Sequence, residues 1–138
     1  MSVILAVDPG EKQIGLALSD PTGTLARPYQ VIEHTQRDED AMRIAEIATA
    51  QMAQLILVGQ ATDSAGDANL SGRKARRFAA AIREHTFIRV ELWDETSSTQ
   101  TAQETLREMG VPPEKRAALI DAQAAAVILQ SYLDAQNG

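Results

Sequence analysis

The sequence predicts an α/β fold: a mixed sheet of about five strands, three antiparallel and hairpin-linked and the rest parallel, flanked by helices. Three observations carry this. Apolar runs near the start of the chain are separated by tight turn residues, so strand follows strand. Beyond about residue 40 the apolar spacing changes to three and four residues, the period of a helix. From there helices alternate with further apolar runs, the pattern of parallel strands joined through helices.

The first element, Val3 to Val7, is a continuous apolar run, as expected of a strand buried on both faces. Asp8-Pro9-Gly10 supplies a turn, and Ile14, Leu16 and Leu18 then alternate with Gly15 and Ala17 as a second strand. Asp20-Pro21 and Gly23 close it, and a weaker third strand lies around Leu25 to Glu33. Ala41, Ile44, Ala45, Ala48 and Met52 mark a helix, and Leu55 to Val58 a fourth strand ending at Gly59. A polar loop, Thr62 to Asn69, leads to a helix marked by Ala75, Phe78, Ala79 and Ile82. Ile88, Val90 and Leu92 form the fifth strand, with Trp93 turned to the opposite face and expected to pack in the core. Ser97 and Gln100 resemble a capping box opening a helix through Ala102, Leu106 and Met109. Gly110 and Pro112-Pro113 end it, and a last helix runs from about Glu114 to Leu133. The order β-β-β-α-β-α-β-α-α is that of the RNase H-like fold.

Composition bounds the function. The 138 residues suit a single domain spanning 1–138, and 44% hydrophobic content is enough for a sizeable core. The absence of cysteine excludes disulfides and thiolate metal sites and fits a cytoplasmic setting. Met1 to Val7 is too short for a signal or membrane segment, so no membrane association is expected. The net charge of −6 opposes tight non-specific binding to a polyanion, so contact with one must come from local cations or bound metal.

Three acidic positions stand out by context. Asp8 closes the first strand, and Glu95, beside Asp94, closes the fifth. Asp121 lies in the last helix with Ala124, Ala125 and Ile128 on its face. Each has a simpler reading: Asp8 as a turn residue, Asp94-Glu95 as charge near a helix start, Asp121 paired with Lys115 or Arg116. Together they form a carboxylate set. An oxygen-only donor set suits Mg²⁺ or Mn²⁺, and carboxylates held close need a cation between them. Such a set suits phosphodiester hydrolysis.

The run Ala6-Val7-Asp8-Pro9-Gly10-Glu11-Lys12-Gln13-Ile14-Gly15-Leu16-Ala17-Leu18-Ser19-Asp20 resembles the opening motif of the YqgF (RuvX-like) family within the RNase H-like superfamily. Val58-Gly59, Trp93-Asp94-Glu95-Thr96-Ser97-Ser98-Thr99, Ile120 to Ala125 and Ile128 to Asp134 resemble its later landmarks, in the right order and over nearly the whole chain. The resemblance implies a nuclease trimming the 5′ end of precursor 16S rRNA, related to junction-resolving enzymes, with Asp8, Glu95 and Asp121 as catalytic and metal-binding carboxylates. The adjacency of Asp94 leaves the second of these open to either residue.

The chain departs from the family pattern at Gln13 and Thr96, where arginines are usual, at Gln60-Ala61 in place of Leu-Pro, and at Ala65 in place of an Asp. Losing two guanidinium groups removes phosphate contacts and points to weaker activity or another substrate. The remaining cations are Lys12 beside the proposed site, Lys115-Arg116 at the last helix, and a cluster of Arg73, Lys74, Arg76, Arg77 and Arg83. Of these, Lys12, Arg73, Arg76 and Arg77 are the expected substrate contacts; His34 and His85 are given no role. The expected partners are structured RNA (pre-16S rRNA) or branched DNA, with ribosomal particles as a further candidate, for a monomer or homodimer. The competing functions are a Holliday-junction resolvase and a weakly active or inactive RNA- or ribosome-binding module.

Overall fold

The structure, a computed structural model, describes residues 3–61, 70–95 and 98–137. In chain order the elements are β1 (Val3–Pro9), β2 (Gln13–Ser19), β3 (Ala26–Glu33), α1 (Arg37–Ala50), β4 (Ala53–Ala61), α2 (Leu70–Arg83), β5 (Arg89–Glu95), α3 (Ser98–Glu108) and α4 (Pro113–Asn137). The order and type of every element match the sequence reading. The polar loop after β4 and the Ser97 end of the capping box lie outside the described residues.

The strands form one sheet in the order β3-β2-β1-β4-β5. The hairpin pairs β1–β2 and β2–β3 are antiparallel, whereas β4 joins β1 and β5 joins β4 in parallel. Alternation along the central strands divides the core into two layers. Leu5, Val7, Ile14, Leu16, Ile56 and Val58 face α1 and α2, where they meet Ile44, Ala48, Phe78 and Ile82. Ile4, Ala6, Ala17, Leu55 and Leu57 face α4, where they meet Ala125, Ala126, Ile128, Leu129 and Leu133. Helix α3 lies against α4.

The buried run of α4 is rich in alanine, and small side chains let its backbone approach the sheet closely. A Cβ added at Gly59 would stand 2.7 Å from Ile128 Cδ1. Gly59 lies inside β4, which runs on to Ala61 paired with β5, rather than ending the strand as its sequence suggests. The far end of α4 is tied to the β2–β3 turn. Ala26 N–H donates to Gln130 Oε1 at 2.9 Å, Gln130 Nε2 to the Thr24 carbonyl at 3.0 Å, and Asn137 Nδ2 to the Gly23 carbonyl at 3.0 Å. Among the described residues no helix is long and apolar enough to cross a membrane.

Candidate active site

The parallel strands β1, β4 and β5 end on the same edge of the sheet, where Asp8 and Glu95 occupy strand ends. Asp8 pairs across the hairpin with Gly15. Cross-strand partners project to the same face, so the Asp8 carboxylate and the position where Gly15 would carry a side chain share a face. On that face Gly15 meets α4: a Cβ added to it would lie 1.9 Å from the Asp121 carbonyl oxygen and 2.9 Å from the Ala122 nitrogen. The missing side chain of Gly15 therefore lets α4 seat Asp121 against the strand pair that carries Asp8.

Asp121 is half-buried, and burial raises its carboxyl above the ordinary aspartate range. Neither expected partner is engaged with it, since Arg116 Nε instead donates to the Val111 carbonyl at 2.9 Å. No hydrogen bond or ion pair is formed by its side chain among the described residues. It opens into a groove of about 890 Å³ lined by Gly10, Glu11, Lys12, Gln13, Glu33, His34, Ala117 and Ala118. Lys12 thus stands in the same groove, as its position after the turn implies.

Asp94, the neighbour of Glu95, is engaged with the adjoining strand. Asp94 Oδ1 accepts from Gln60 Nε2 at 3.0 Å. Leu92, two residues before it, packs toward α1 and α2, while Trp93 packs toward α4. The Trp93 ring meets Tyr132 edge-on at 5.0 Å, and its Nε1 donates to Ser131 Oγ at 2.8 Å. That is the core packing expected of it. The backbone of Glu95 closes β5 opposite Ala61; its side chain is outside the described set. Among the described residues no three His, Asp or Glu side chains are grouped to hold an ion. Asp8 and Asp121 offer oxygen donors of the kind a hard divalent cation takes.

The basic cluster is placed differently from the carboxylates. Arg73, Arg76 and Arg77 are exposed on α2, which belongs to the opposite layer from α4. Arg83 is separate from them, donating to the Val90 carbonyl at 2.6 Å.

One group of residues has no counterpart among the sequence expectations. Asp40 on α1 is fully buried. Its carboxylate contacts His34 Nδ1 and accepts from Arg43 at 2.7 Å and from Thr35 N at 3.1 Å and Oγ1 at 3.0 Å. Burial pushes its pKa up, but these contacts outweigh burial and the carboxyl lies below the ordinary range. Its spacing was the signal: Asp40 precedes Ile44 by four residues and so shares the apolar face of α1. His34 lines the Asp121 groove and also a second cavity across the β1–β2 turn.

A family model described as RuvX, Holliday junction resolvase, matches residues 2–135. The chain belongs to the RuvX family. A relative from Desulforamulus reducens, named as a candidate pre-16S rRNA nuclease, is 38% identical over 131 residues, covering 95% of this chain and 96% of its own. One of the same name from an Anaeromyxobacter species is 38% identical over 133 residues, with 96% and 97% covered. Among solved structures, RuvC of T. thermophilus in complex with a Holliday junction substrate matches with a TM-score of 0.59 at 18% identity, covering 100% of this chain and 97% of that one. The fowlpox virus resolvase bound to Holliday junction DNA gives 0.63 at 12% identity, with 99% of both chains covered. These two are likenesses of fold and establish the RNase H-like architecture. The RuvX family and the named relatives are nucleases, so this RuvX chain is an enzyme that hydrolyses phosphodiester bonds.

Proposed function

We propose that the chain is a divalent-metal-dependent nuclease that processes the 5′ end of pre-16S rRNA, with Asp8, Glu95 and Asp121 as its metal-binding carboxylates. The observation that carries this reading is the seating of Asp121 on Gly15, across the hairpin from Asp8. Burial already disfavours the Asp121 carboxylate as an anion, and a second carboxylate brought to it would add to that cost. A Mg²⁺ or Mn²⁺ held by these carboxylates would offset that cost and would supply an activated water and charge stabilisation at the leaving oxygen. The chain's own contribution is placement. β1 carries Asp8, and the close approach at Gly15 sets the backbone of Asp121 against the same strand pair. Lys12 holds a phosphate beside them, and Arg73, Arg76 and Arg77 receive the more distant backbone. The relatives' names support RNA as the substrate, and the family description supports branched DNA as the second reading.

The test is cleavage of a labelled precursor-rRNA 5′ leader with Mn²⁺ or Mg²⁺, with a four-way DNA junction in parallel, by the wild type and Asp8→Asn. Metal-dependent cleavage of the leader, lost in the variant, is the expected result. Cleavage of the junction alone would establish the second reading. Binding of the leader without cleavage by either protein would favour a binding module.

A further inference from the structure

The His34–Asp40 contact determines what the imidazole can offer. An ionised carboxylate only accepts hydrogen bonds, so Nδ1 of His34 must carry the proton that faces Asp40. In the neutral ring this leaves Nε2 as an acceptor. Arg43 and the Thr35 backbone and hydroxyl also bind Asp40, so the carboxylate is fixed from several sides and the ring is held in turn. The His34 side chain is 38% exposed, and its Nε2 has no partner among the described residues. In its neutral form the ring is an oriented acceptor open to solvent.

Its surroundings are those of a strand path. His34, Gly10 and Glu11 line both the Asp121 groove and a second cavity of about 610 Å³ on the other side of the β1–β2 turn. That second cavity also presents Arg37 and Lys74. Arg37 has no ion pair among the described residues, and the only ion pair Lys74 makes there is with Glu11 at 4.0 Å, both side chains mostly in solvent. Such a pair is weak and yields readily to a phosphate. Arg37 also lines a neighbouring surface depression with Arg77, where the acids Asp38 and Glu84 stand beside them. A strand leaving the Asp121 groove across this turn passes an oriented acceptor flanked by cations.

The group on nucleic acid that donates to such an acceptor in a sugar-phosphate track is the ribose 2′-hydroxyl, which DNA lacks. We propose that His34, positioned by Asp40, accepts a hydrogen bond from a 2′-hydroxyl of the bound strand while Arg37 and Lys74 hold the adjoining phosphates, so that this subsite selects RNA over DNA. The inference rests on the nuclease acting on RNA as read above.

The experiment measures cleavage of the RNA leader by the wild type, His34→Ala and Arg37→Ala/Lys74→Ala, together with binding in an Asp8→Asn background. Leaders carrying single 2′-deoxy substitutions along their length are compared with the all-ribose strand. The wild type should lose about three- to tenfold in kcat/KM at one 2′-deoxy position, the fold-change of one hydrogen bond. His34→Ala should lose that discrimination while cleaving the 2′-deoxy leader as the wild type does. The double variant should keep the discrimination and bind more weakly, by about four- to fivefold per cation in about 0.15 M salt. If His34 serves only to brace the β3–α1 connection, the 2′-deoxy penalty persists in His34→Ala; that outcome overturns the inference and leaves the nuclease standing. If the wild type neither binds nor cleaves the RNA leader, the functional reading falls and the subsite with it.

Discussion

Gly15 and Asp121 stand so close that no side chain fits between them. A Cβ at Gly15 would lie 1.9 Å from the Asp121 carbonyl oxygen and 2.2 Å from its carbonyl carbon. Both are backbone atoms of α4 and cannot rotate aside. Gly15→Ala should therefore push α4 from the sheet, lowering stability by about 1–3 kcal/mol and moving Asp121 away from Asp8. Urea unfolding and leader cleavage measure the two effects. Gly59→Ala is the control, because it meets the end of the Ile128 side chain and should be milder in both assays.

Asp121 should trade stability for function. Its carboxyl is raised by burial, so the folded state holds the proton more tightly than the unfolded state. The native fold is thus destabilised as pH rises through the unfolded value toward the raised folded one, and remains so at neutrality. Asp121→Asn removes that effect. Its melting temperature should exceed the wild type's at pH 7, and the gap should close below the unfolded aspartate pKa, where both carry a neutral side chain. Cleavage should be lost, and Mn²⁺ should raise the melting temperature of the wild type more than that of the variant. Thermal scans across pH, with and without Mn²⁺, test all three.

The adjacent acids at the end of β5 should separate cleanly. Asp94 is engaged with Gln60, so Asp94→Asn should leave cleavage within a few-fold of wild type. Glu95→Gln should reduce it as severely as Asp8→Asn. Equal loss in both variants would return the assignment to its sequence-level ambiguity.

Asp40 should matter most on the acid side. Its carboxyl lies below the ordinary range, so the stability it provides is present above the unfolded aspartate pKa and is lost as pH falls through the folded one. Asp40→Ala leaves the His34, Thr35 and Arg43 groups without their acceptor and should cost about 1–3 kcal/mol at pH 7. The deficit relative to wild type should narrow as the pH falls. Denaturant midpoints at pH 7 and at successively lower pH check this.

Much of the fold was legible because its signals are local. Apolar runs such as Val3 to Val7 and turn residues such as Asp8-Pro9-Gly10 dictate strands and hairpins without reference to the rest of the chain. The boundary of β4 was less legible, because Gly59 reads as a stop when seen alone, whereas its pairing with β5 carries the strand on to Ala61. The site divided in the same way. Asp8 and Asp121 could be singled out by their positions, but the contact through Gly15 joins residues distant in sequence and exists only once the sheet and α4 meet. The role of Asp40 was hidden because a carboxylate on an apolar helix face is explained only by the groups that converge on it, two of them from the preceding connection. Arg73, Arg76 and Arg77 are exposed on α2 while Arg83 turns to the Val90 carbonyl, and sequence could not assign that helix to the layer opposite α4.

The placement of Asp8 in the first strand and Asp121 in the last helix has a consequence for the birth of the protein. Contacts of such long sequence separation close late in folding, after the local hairpins have formed. A nascent or partly folded molecule that has made its sheet but not docked α4 holds only part of the carboxylate set. On the proposed reading, the hydrolytic centre would therefore be complete only once the last helix has docked, and activity would appear late in folding.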